Sequence, residues 1–287
     1  MQKPRDNASL KLLKRLLGNR SGAVGLVLVT FYFVIGLLGS MELTPYPLLE
    51  QHPRDRLQAP SSAYLMGTDM FGRDVASRIM GGAANSLRVA VLSVTLATAL
   101  GTLLGTLSGY IGGSVDIVIM RIMDVFFALP ALLLALVVVS VLGPGINNTV
   151  FAIATVYTPI FARVARGPVL AVKQMEFVLA ARCVGASDGR IVFRHVLPNT
   201  LAPLIVQISL ALSWSLLTEA GLSFLGLGTQ PPMPSWGVML SESRGLAEMA
   251  PWLMLYPALA IMLGVLGFNL LGDGLRDILD PRLRGLR

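Results

Sequence analysis

The sequence predicts an all-α protein that crosses a membrane several times. Of its 287 residues, 54% are hydrophobic and only 14% are charged, whereas charged residues make up about 25% of an average soluble domain. The apolar residues also occur in long runs without Asp, Glu, Lys, Arg or His. This composition excludes a disordered chain, a disulfide-stabilised secreted module and almost any soluble enzyme.

Five uncharged runs predict the membrane spans. A helix needs roughly 20 apolar residues to cross a bilayer, and four of the runs contain 20 to 27 residues. The fifth run contains 38 residues and is interrupted by Gly143-Pro144-Gly145. Because such a segment cannot lie in lipid with its backbone unsatisfied, this run is expected to form two spans. We therefore predict six helices, near residues 22–42, 86–112, 117–142, 146–170, 198–222 and 251–272.

The basic residues predict the orientation of these helices. Seventeen Lys and Arg residues fall on the side of the N-terminus and five on the other side, with Arg88 uncounted at the edge of the second span. This bias predicts that both termini are cytoplasmic, including the segment 1–21 and the tail 273–287. It also explains the net charge of +7 without nucleic acid, since anionic lipids attract basic residues at this surface. The first span is too long for the apolar region of a signal peptide and is expected to remain uncleaved.

The first span, 22–42, is followed by an outer loop over residues 43–85 and a five-helix core over 86–272. Within the loop, Gly67 to Asp74 is a run of turn-forming residues with two acids and a base. We expect Thr68 to cap a short helix, with Asp69 favourable near its N-terminus. The loop is interpreted as a structured connection or as a contact surface for an external partner.

The cytoplasmic stretch 171–199 predicts a helix, a turn and a second helix between the fourth and fifth spans. Residues 176–184 contain no helix breaker, Gly185 ends this helix, and Ser187 and Asp188 can cap the next one. Pro198 is expected to mark the start of the fifth span. On residue chemistry alone, a short amphipathic helix with basic neighbours is an interfacial anchor.

The same stretch resembles the cytoplasmic loop of ABC importer permeases. That family's signature is E-A-A, three residues, Gly, nine residues, then I-x-L-P. Ala180-Ala181, Gly185 and Leu197-Pro198 match in register. Leu179 replaces the acid of the signature and His195 replaces the isoleucine, while Glu176 lies one turn upstream of Leu179.

Other segments extend the resemblance over residues 20–284. They are similar to the C-type permease subunits of the dipeptide, oligopeptide and nickel branch of these importers, which implies the type I permease fold. The matching residues lie in the following segments: Leu65 to Asp69 with Gly72 to Asp74 and Ser77-Arg78; Met120-Arg121 with Asp124 and Ala128 to Pro130; Leu222 to Gly228; Gln230 to Pro232 with Trp236-Gly237; and Gly272 to Asp277 with Leu279 to Arg282.

The resemblance implies a permease subunit that forms half of a translocation pathway in a bacterial inner membrane. Its partners would be a homologous permease, two ATPase subunits that bind ATP and Mg²⁺, and an extracytoplasmic binding protein. Di- or oligopeptides are the expected cargo, and nickel complexes or glutathione are alternatives. The residues expected to couple the chain to the ATPases are Glu176, Phe177, Ala180, Ala181, Gly185, Ser187, Leu197 and Pro198.

Motifs for ATP binding and for a metal centre are absent from the sequence. It contains no G-x-x-x-x-G-K-[ST] phosphate loop and no His/Cys cluster with metal-ligand spacing. We therefore predict no catalytic, cofactor-binding or metal-binding residue, and ATP hydrolysis in separate subunits. A self-contained secondary carrier is the alternative from another class, but it would need ionisable residues near the bilayer midplane, and the predicted spans contain almost none.

Three further features lie within the spans. Gly101, Gly105 and Gly109 repeat every four residues and predict a close helix–helix seam. Arg121 and Asp124 are expected to form a local ion pair. Glu219 follows 23 uncharged residues near the outer end of the fifth span. It is expected either to have a structural partner, such as an outer loop, or to lie on the substrate pathway or outer gate.

Overall fold

The computed structural model describes residues 8–279. This part of the chain is mainly α-helical and contains no β-strand. Eleven α-helices are found in this part of the chain: α1 (Ala8–Gly18), α2 (Arg20–Ser40), α3 (Val75–Ile111), α4 (Gly113–Phe127), α5 (Ala131–Leu142), α6 (Ile146–Val172), α7 (Glu176–Cys183), α8 (Asp188–Ile191), α9 (Leu197–Phe224), α10 (Trp236–Ser243) and α11 (Trp252–Leu279). A 3₁₀ turn, Pro53–Asp55, lies in the loop between α2 and α3, and a π-turn, Val192–Val196, joins α8 to α9.

Four helices are long and apolar enough to cross a membrane: α2, α3, α11 and the continuous helix Asp188–Phe224. The pair α4 and α5 adds a fifth candidate if it counts as one span. The predicted fourth span, 146–170, corresponds to α6, a helix of 27 residues. It carries Asn147, Asn148, Arg163 and Arg166 and is not among the helices that qualify by hydropathy. The protein is thus an all-α polytopic membrane protein.

The predicted third span, 117–142, is wrong as a single straight helix. α4 ends at Phe127, α5 begins at Ala131, and their axes differ by 93°. Pro130 lies at this break, in the N-cap position of α5. Proline has no backbone N–H and disfavours helical geometry in the residue before it, so the chain turns there.

The second span begins earlier than predicted. α3 starts at Val75 rather than near residue 86, because the Asp74 carboxylate caps it by accepting from the Ser77 backbone N–H at 2.7 Å. The predicted cap at Thr68 is wrong: Thr68 pairs with Asp74 in an isolated bridge, and its hydroxyl accepts from the Gln58 N–H at 2.9 Å.

Glycine seams hold the bundle together. On α3, a methyl group at Gly101 would lie 2.5 Å from the Phe161 Cβ, and one at Gly105 would lie 2.1 Å from the Ala162 carbonyl oxygen of α6. Gly109 likewise meets Val169. Only a hydrogen at these positions permits so close an approach.

A second glycine seam, between α2 and α11, is not predicted from the sequence. Gly22 approaches Gly274 so closely that a methyl group on the latter would lie 2.4 Å from the Gly22 Cα. A methyl group at Gly25 would lie 2.3 Å from the Leu271 backbone nitrogen. The predicted Arg121–Asp124 ion pair is replaced by one to a neighbouring helix, with Arg163 Nη2 2.6 Å from Asp124 Oδ1.

Candidate functional site: an elbow and an ionic cluster at opposite ends of the bundle

The elbow between α6 and α9 consists of α7, a tight turn and α8. At the end of α7, the Gly185 N–H donates to the Arg182 carbonyl and the Ala186 N–H donates to the Ala181 carbonyl, both at 3.0 Å. Gly185 has φ +81°, in the left-handed region, and open space surrounds it. This hydrogen-bond pattern ends a helix with glycine in that conformation, so conformational freedom explains the residue within this chain.

An apolar cluster fixes the elbow to the membrane helices. Val178 of α7 is fully buried against Ile191 and Val196 from the following helix and against Val169 and Val172 of α6. Each of these side chains fills space between two elements. α7 is therefore held by packing and not only by its connecting turns.

Polar contacts tie the elbow to the end of α3. Lys173 Nζ donates to the Gly109 carbonyl at 2.6 Å, and the Tyr110 hydroxyl donates to Asp188 Oδ1 at 2.5 Å. Arg182 Nη2 donates to the same tyrosine oxygen at 3.2 Å, and this hydrogen bond is the main cause that raises the pKa of Arg182. α3 and α6 thus contact the elbow, and α9 continues from it without a break.

The elbow and the π-turn after it expose several apolar side chains. Phe177, Leu179, Val184 and Phe193 are 43%, 48%, 84% and 72% exposed. The charged Glu176, Arg182 and Arg190 are exposed beside them. Leu179 stands where the importer signature has an acid, and the structure turns it away from the bundle. Of the eight predicted coupling residues, Glu176, Phe177, Ala180, Gly185, Ser187 and Pro198 are exposed, whereas Ala181 and Leu197 are half-buried.

Pro198 lies in the first turn of α9, as predicted. This helix is continuous with α8, so that a single helix runs from Asp188 to Phe224, and Pro198 lies just after the π-turn Val192–Val196. A proline ring clashes with the carbonyl group four residues earlier, and the wider π-turn makes room at that point. Ser187 holds the N-cap position of α8 but makes no side-chain capping bond.

At the opposite end of the bundle, four charged side chains form a cluster that we call the outer ionic cluster. Asp69, Arg73 and Arg78 are buried, and the Glu242 side chain is 24% exposed. Arg73 Nε lies 2.6 Å from Asp69 Oδ2 and its Nη2 lies 3.2 Å from Glu242 Oε2. Arg78 Nη2 contacts the same Glu242 oxygen at 2.9 Å. The arginines are 3% and 1% exposed, so their charges depend on these partners.

This cluster closes the outer loop onto the bundle. It joins the segment before α3 to α10, and the Trp252 indole N–H donates to the Thr68 carbonyl at 3.3 Å nearby. Sequence reasoning missed Glu242, and it used Arg78 as a topological charge and as part of a matching segment without assigning it a partner. The four-residue spacing of Asp69 and Arg73 was the available sequence signal for this cluster. No sequence pattern indicated their distant partner, Glu242.

Glu219 is buried completely, on α9. Its Oε1 accepts from the Ser223 hydroxyl at 2.6 Å, and that hydroxyl oxygen accepts from the Thr229 N–H at 3.1 Å. Glu219 Oε2, the Ser86 hydroxyl and the Thr229 hydroxyl have no partner among the described residues. The contacts therefore connect Glu219 to the segment after α9, and it lines no open space within this chain.

No metal centre is evident in residues 8–279, where no three His, Cys, Asp or Glu side chains come together as metal ligands would. The arrangement is that of a membrane permease subunit. Its helices pack into a bundle. The outer ionic cluster lies at one end of the bundle, and the elbow with its exposed apolar side chains lies at the other.

Comparison with known proteins agrees with this class. Residues 101–285 match the family described as binding-protein-dependent transport system inner membrane component, and the chain belongs to that family. The inward-facing structure of the MetNI methionine ABC transporter resembles it with a TM-score of 0.58 at 16% identity, over 69% of this chain and 94% of that one. This likeness establishes the ABC importer permease fold.

Curated relatives are more similar in sequence. The dipeptide transport system permease protein DppC of Alkalihalophilus pseudofirmus is 47% identical over 271 residues, covering 94% of this chain and 89% of the relative. The glutathione transport system permease protein GsiD of Pectobacterium atrosepticum is 46% identical over 243 residues, covering 84% and 81%. GsiD of Shigella flexneri is 50% identical over 244 residues, covering 85% and 80%.

Proposed function

We propose that this chain is the permease subunit of a peptide importer and that it transmits ATPase motion through α7. The observation that carries the proposal is the elbow. Its helix α7 exposes apolar side chains, while Val178 of the same helix is packed into the bundle. An exposed apolar patch on a rigid element is typical of a protein contact. Because α3, α6 and α9 contact the elbow, displacement of α7 would move these helices together.

The proposed topology has six spans and cytoplasmic termini. α2, α3, the α4–α5 pair, α6, the helix through α9, and α11 would be the spans, and the elbow and both termini would face the cytoplasm. The charge bias supports this orientation. The ion pairs of Arg163 with Asp124 and of Arg166 with Asp116, both at 2.6 Å, support α6 as a span because they neutralise its cations.

The proposed partners complete the transporter. One homologous permease would contribute the other half of the pathway, two ATPase subunits would hold ATP and Mg²⁺, and an extracytoplasmic binding protein would deliver the cargo. This chain itself would carry out no catalytic step. For Glu219 we favour a structural role, since its bonded partner Ser223 holds the segment after α9.

Dipeptides are the proposed cargo. The support is the similarity to a dipeptide permease over 94% of this chain. Glutathione is itself a peptide, so the glutathione permeases among the relatives favour the same cargo class.

Purification and uptake together test this function. The tagged chain would be isolated from native membranes in mild detergent, and the co-purifying proteins would be identified by mass spectrometry. We expect a second permease and P-loop ATPases, and ATP-dependent dipeptide uptake after reconstitution with the binding protein. Recovery of the chain alone, still folded and supporting uptake without ATP, would contradict the proposal in favour of a secondary carrier.

A further inference from the structure

Three elements surround an open basin at the end of the bundle that carries the outer ionic cluster. The basin has a volume of about 500 Å³. It is lined by Arg88 of α3, by residues 144–148 at the turn into α6, and by Gln230 and Met233 after α9. We call it the outer basin.

Arg88 is an unpaired charge on the wall of this basin. It is exposed, and among the described residues it forms no ion pair or side-chain hydrogen bond. Arg73 and Arg78, at the same end of the bundle, both have carboxylate partners. Arg88 also borders an uncharged run of 27 residues, Val89 to Val115. Since an unpaired guanidinium is costly in lipid, its surroundings must supply water or an anion.

Two amide side chains add hydrogen-bond acceptors to the basin. Asn148 Nδ2 donates to the carbonyls of Leu142 and Gly143 at 2.9 and 3.0 Å. Gln230 Nε2 donates to the carbonyls of Gly226 and Gly228 at 3.0 and 3.1 Å. Backbone carbonyls only accept, so these bonds fix the orientation of both amides. Neither amide oxygen accepts a bond from the described part of the chain.

We propose that the outer basin is a substrate subsite for the zwitterionic backbone of a short peptide. Arg88 binds the C-terminal carboxylate, for which a guanidinium offers two parallel N–H donors. The amide oxygens of Asn148 and Gln230 accept from the peptide's ammonium and amide N–H groups. The volume lies in the range of small-molecule sites, roughly 300–1,000 Å³. This assignment rests on the proposed function as a peptide importer.

Reconstituted transport tests the role of Arg88. The complete complex, with saturating binding protein preloaded with Ala-Phe, would be assayed in proteoliposomes as wild type, Arg88→Gln and Arg88→Lys. Loss of a charge-assisted bond predicts uptake about tenfold lower for Arg88→Gln. Arg88→Lys should be intermediate, because lysine keeps the charge but not the two parallel donors. Arg244→Gln is the matched control, because Arg244 is an exposed arginine at the same end that stacks on Phe224. It should transport normally.

A thiol-labelling experiment tests the basin without relying on transport. Asn147 lines the basin and is exposed, so Asn147→Cys in a Cys183→Ser chain reports access to it. In the complex we expect faster reaction with an anionic sulfonatoethyl methanethiosulfonate than with its cationic trimethylammonium analogue. Adding Arg88→Gln should abolish that difference, and loaded binding protein should slow labelling.

The outcomes separate the two proposals. Wild-type uptake equal to that of Arg88→Gln would overturn the subsite and leave peptide import intact. A labelling rate that is independent of reagent charge, or no labelling at all in the complex, would also overturn it, since the basin would then be uncharged or covered by another subunit. Absence of ATP-dependent Ala-Phe uptake in the wild type would remove the importer function together with the subsite.

Discussion

The two ends of the bundle differ in which kind of side chain is buried and which is exposed. At the outer ionic cluster, three charged groups are buried and a fourth is partly buried, and each has a partner within the chain. At the elbow, Phe177, Leu179, Val184 and Phe193 are apolar and exposed. A buried charge without a partner and an exposed apolar face are both unfavourable in an isolated protein. The chain satisfies the first within itself and leaves the second exposed, and under the proposed function an ATPase would cover the elbow.

Removing Glu242 should have the largest effect on stability. Glu242→Ala leaves Arg73 and Arg78 buried with Asp69 as their remaining partner, and breaking a buried ion pair in this way costs about 3–5 kcal/mol. We expect a strongly reduced level of folded complex and a lower unfolding temperature in detergent. Glu248→Ala is the control, because Glu248 is exposed on the same side. Equal stability of the two variants would contradict the assigned role of the cluster.

The elbow glycine should affect transport more than stability. Gly185→Val forces a β-branched residue into the left-handed region, at a cost of about 1–3 kcal/mol, and changes the angle at which α7 leaves the turn. Uptake should be abolished while membrane insertion and protein level remain. Gly185→Asn should retain activity, because asparagine tolerates this conformation.

Gly189 offers a matched position for this comparison. It lies in α8, has no positive φ and has open space around it, so Gly189→Val should transport nearly normally. Normal uptake by Gly185→Val in a strain lacking the native permease would remove the coupling assignment from the elbow.

The apolar face of the elbow should affect binding without affecting folding. Val184→Ser changes a side chain that is 84% exposed, so the unfolding free energy should shift by less than about 0.5 kcal/mol. Affinity for the ATPases should fall about tenfold, since burying a valine contributes about 1.5–3 kcal/mol. Val141→Ser, at an equally exposed position outside the elbow, should leave the affinity unchanged. A titration with labelled ATPase measures the affinity of both variants.

The smallest effect should come from the outer loop at high pH. Burial, together with the hydrogen bond that Tyr64 donates to Asp55 at 3.0 Å, raises the pKa of Tyr64 to about 12. A raised pKa favours the folded loop fully below the unfolded value of about 10, and this contribution disappears as the pH rises through about 12. Trp252 fluorescence should report loosening of the loop in this interval, and Tyr64→Phe should remove that pH dependence.

Features that depend on neighbouring residues were predicted better from the sequence than features that depend on residues far apart in the chain. The end of α7 at Gly185 was predicted correctly, because it depends on the residues immediately before it. The third span was predicted as one helix because hydropathy outweighed Pro130 in that run. Pro198 was placed correctly in the first turn of α9, but the π-turn that joins α9 to α8 was not predicted, because no sequence pattern indicates one. Glu242 was missed because its partners are 164 and 169 residues away along the chain.

The contact between the elbow and an ATPase is the central claim, and the native Cys183 can test it directly. It is the only cysteine in the sequence and is exposed at the end of α7. A benzophenone maleimide attached there in the active complex should, on illumination, link the chain to a P-loop ATPase identified by mass spectrometry. The same reagent on Leu65→Cys in a Cys183→Ser chain, in the outer loop, should give no such product. An active complex in which Cys183 forms no ATPase adduct, or in which both positions form it equally, would contradict the account.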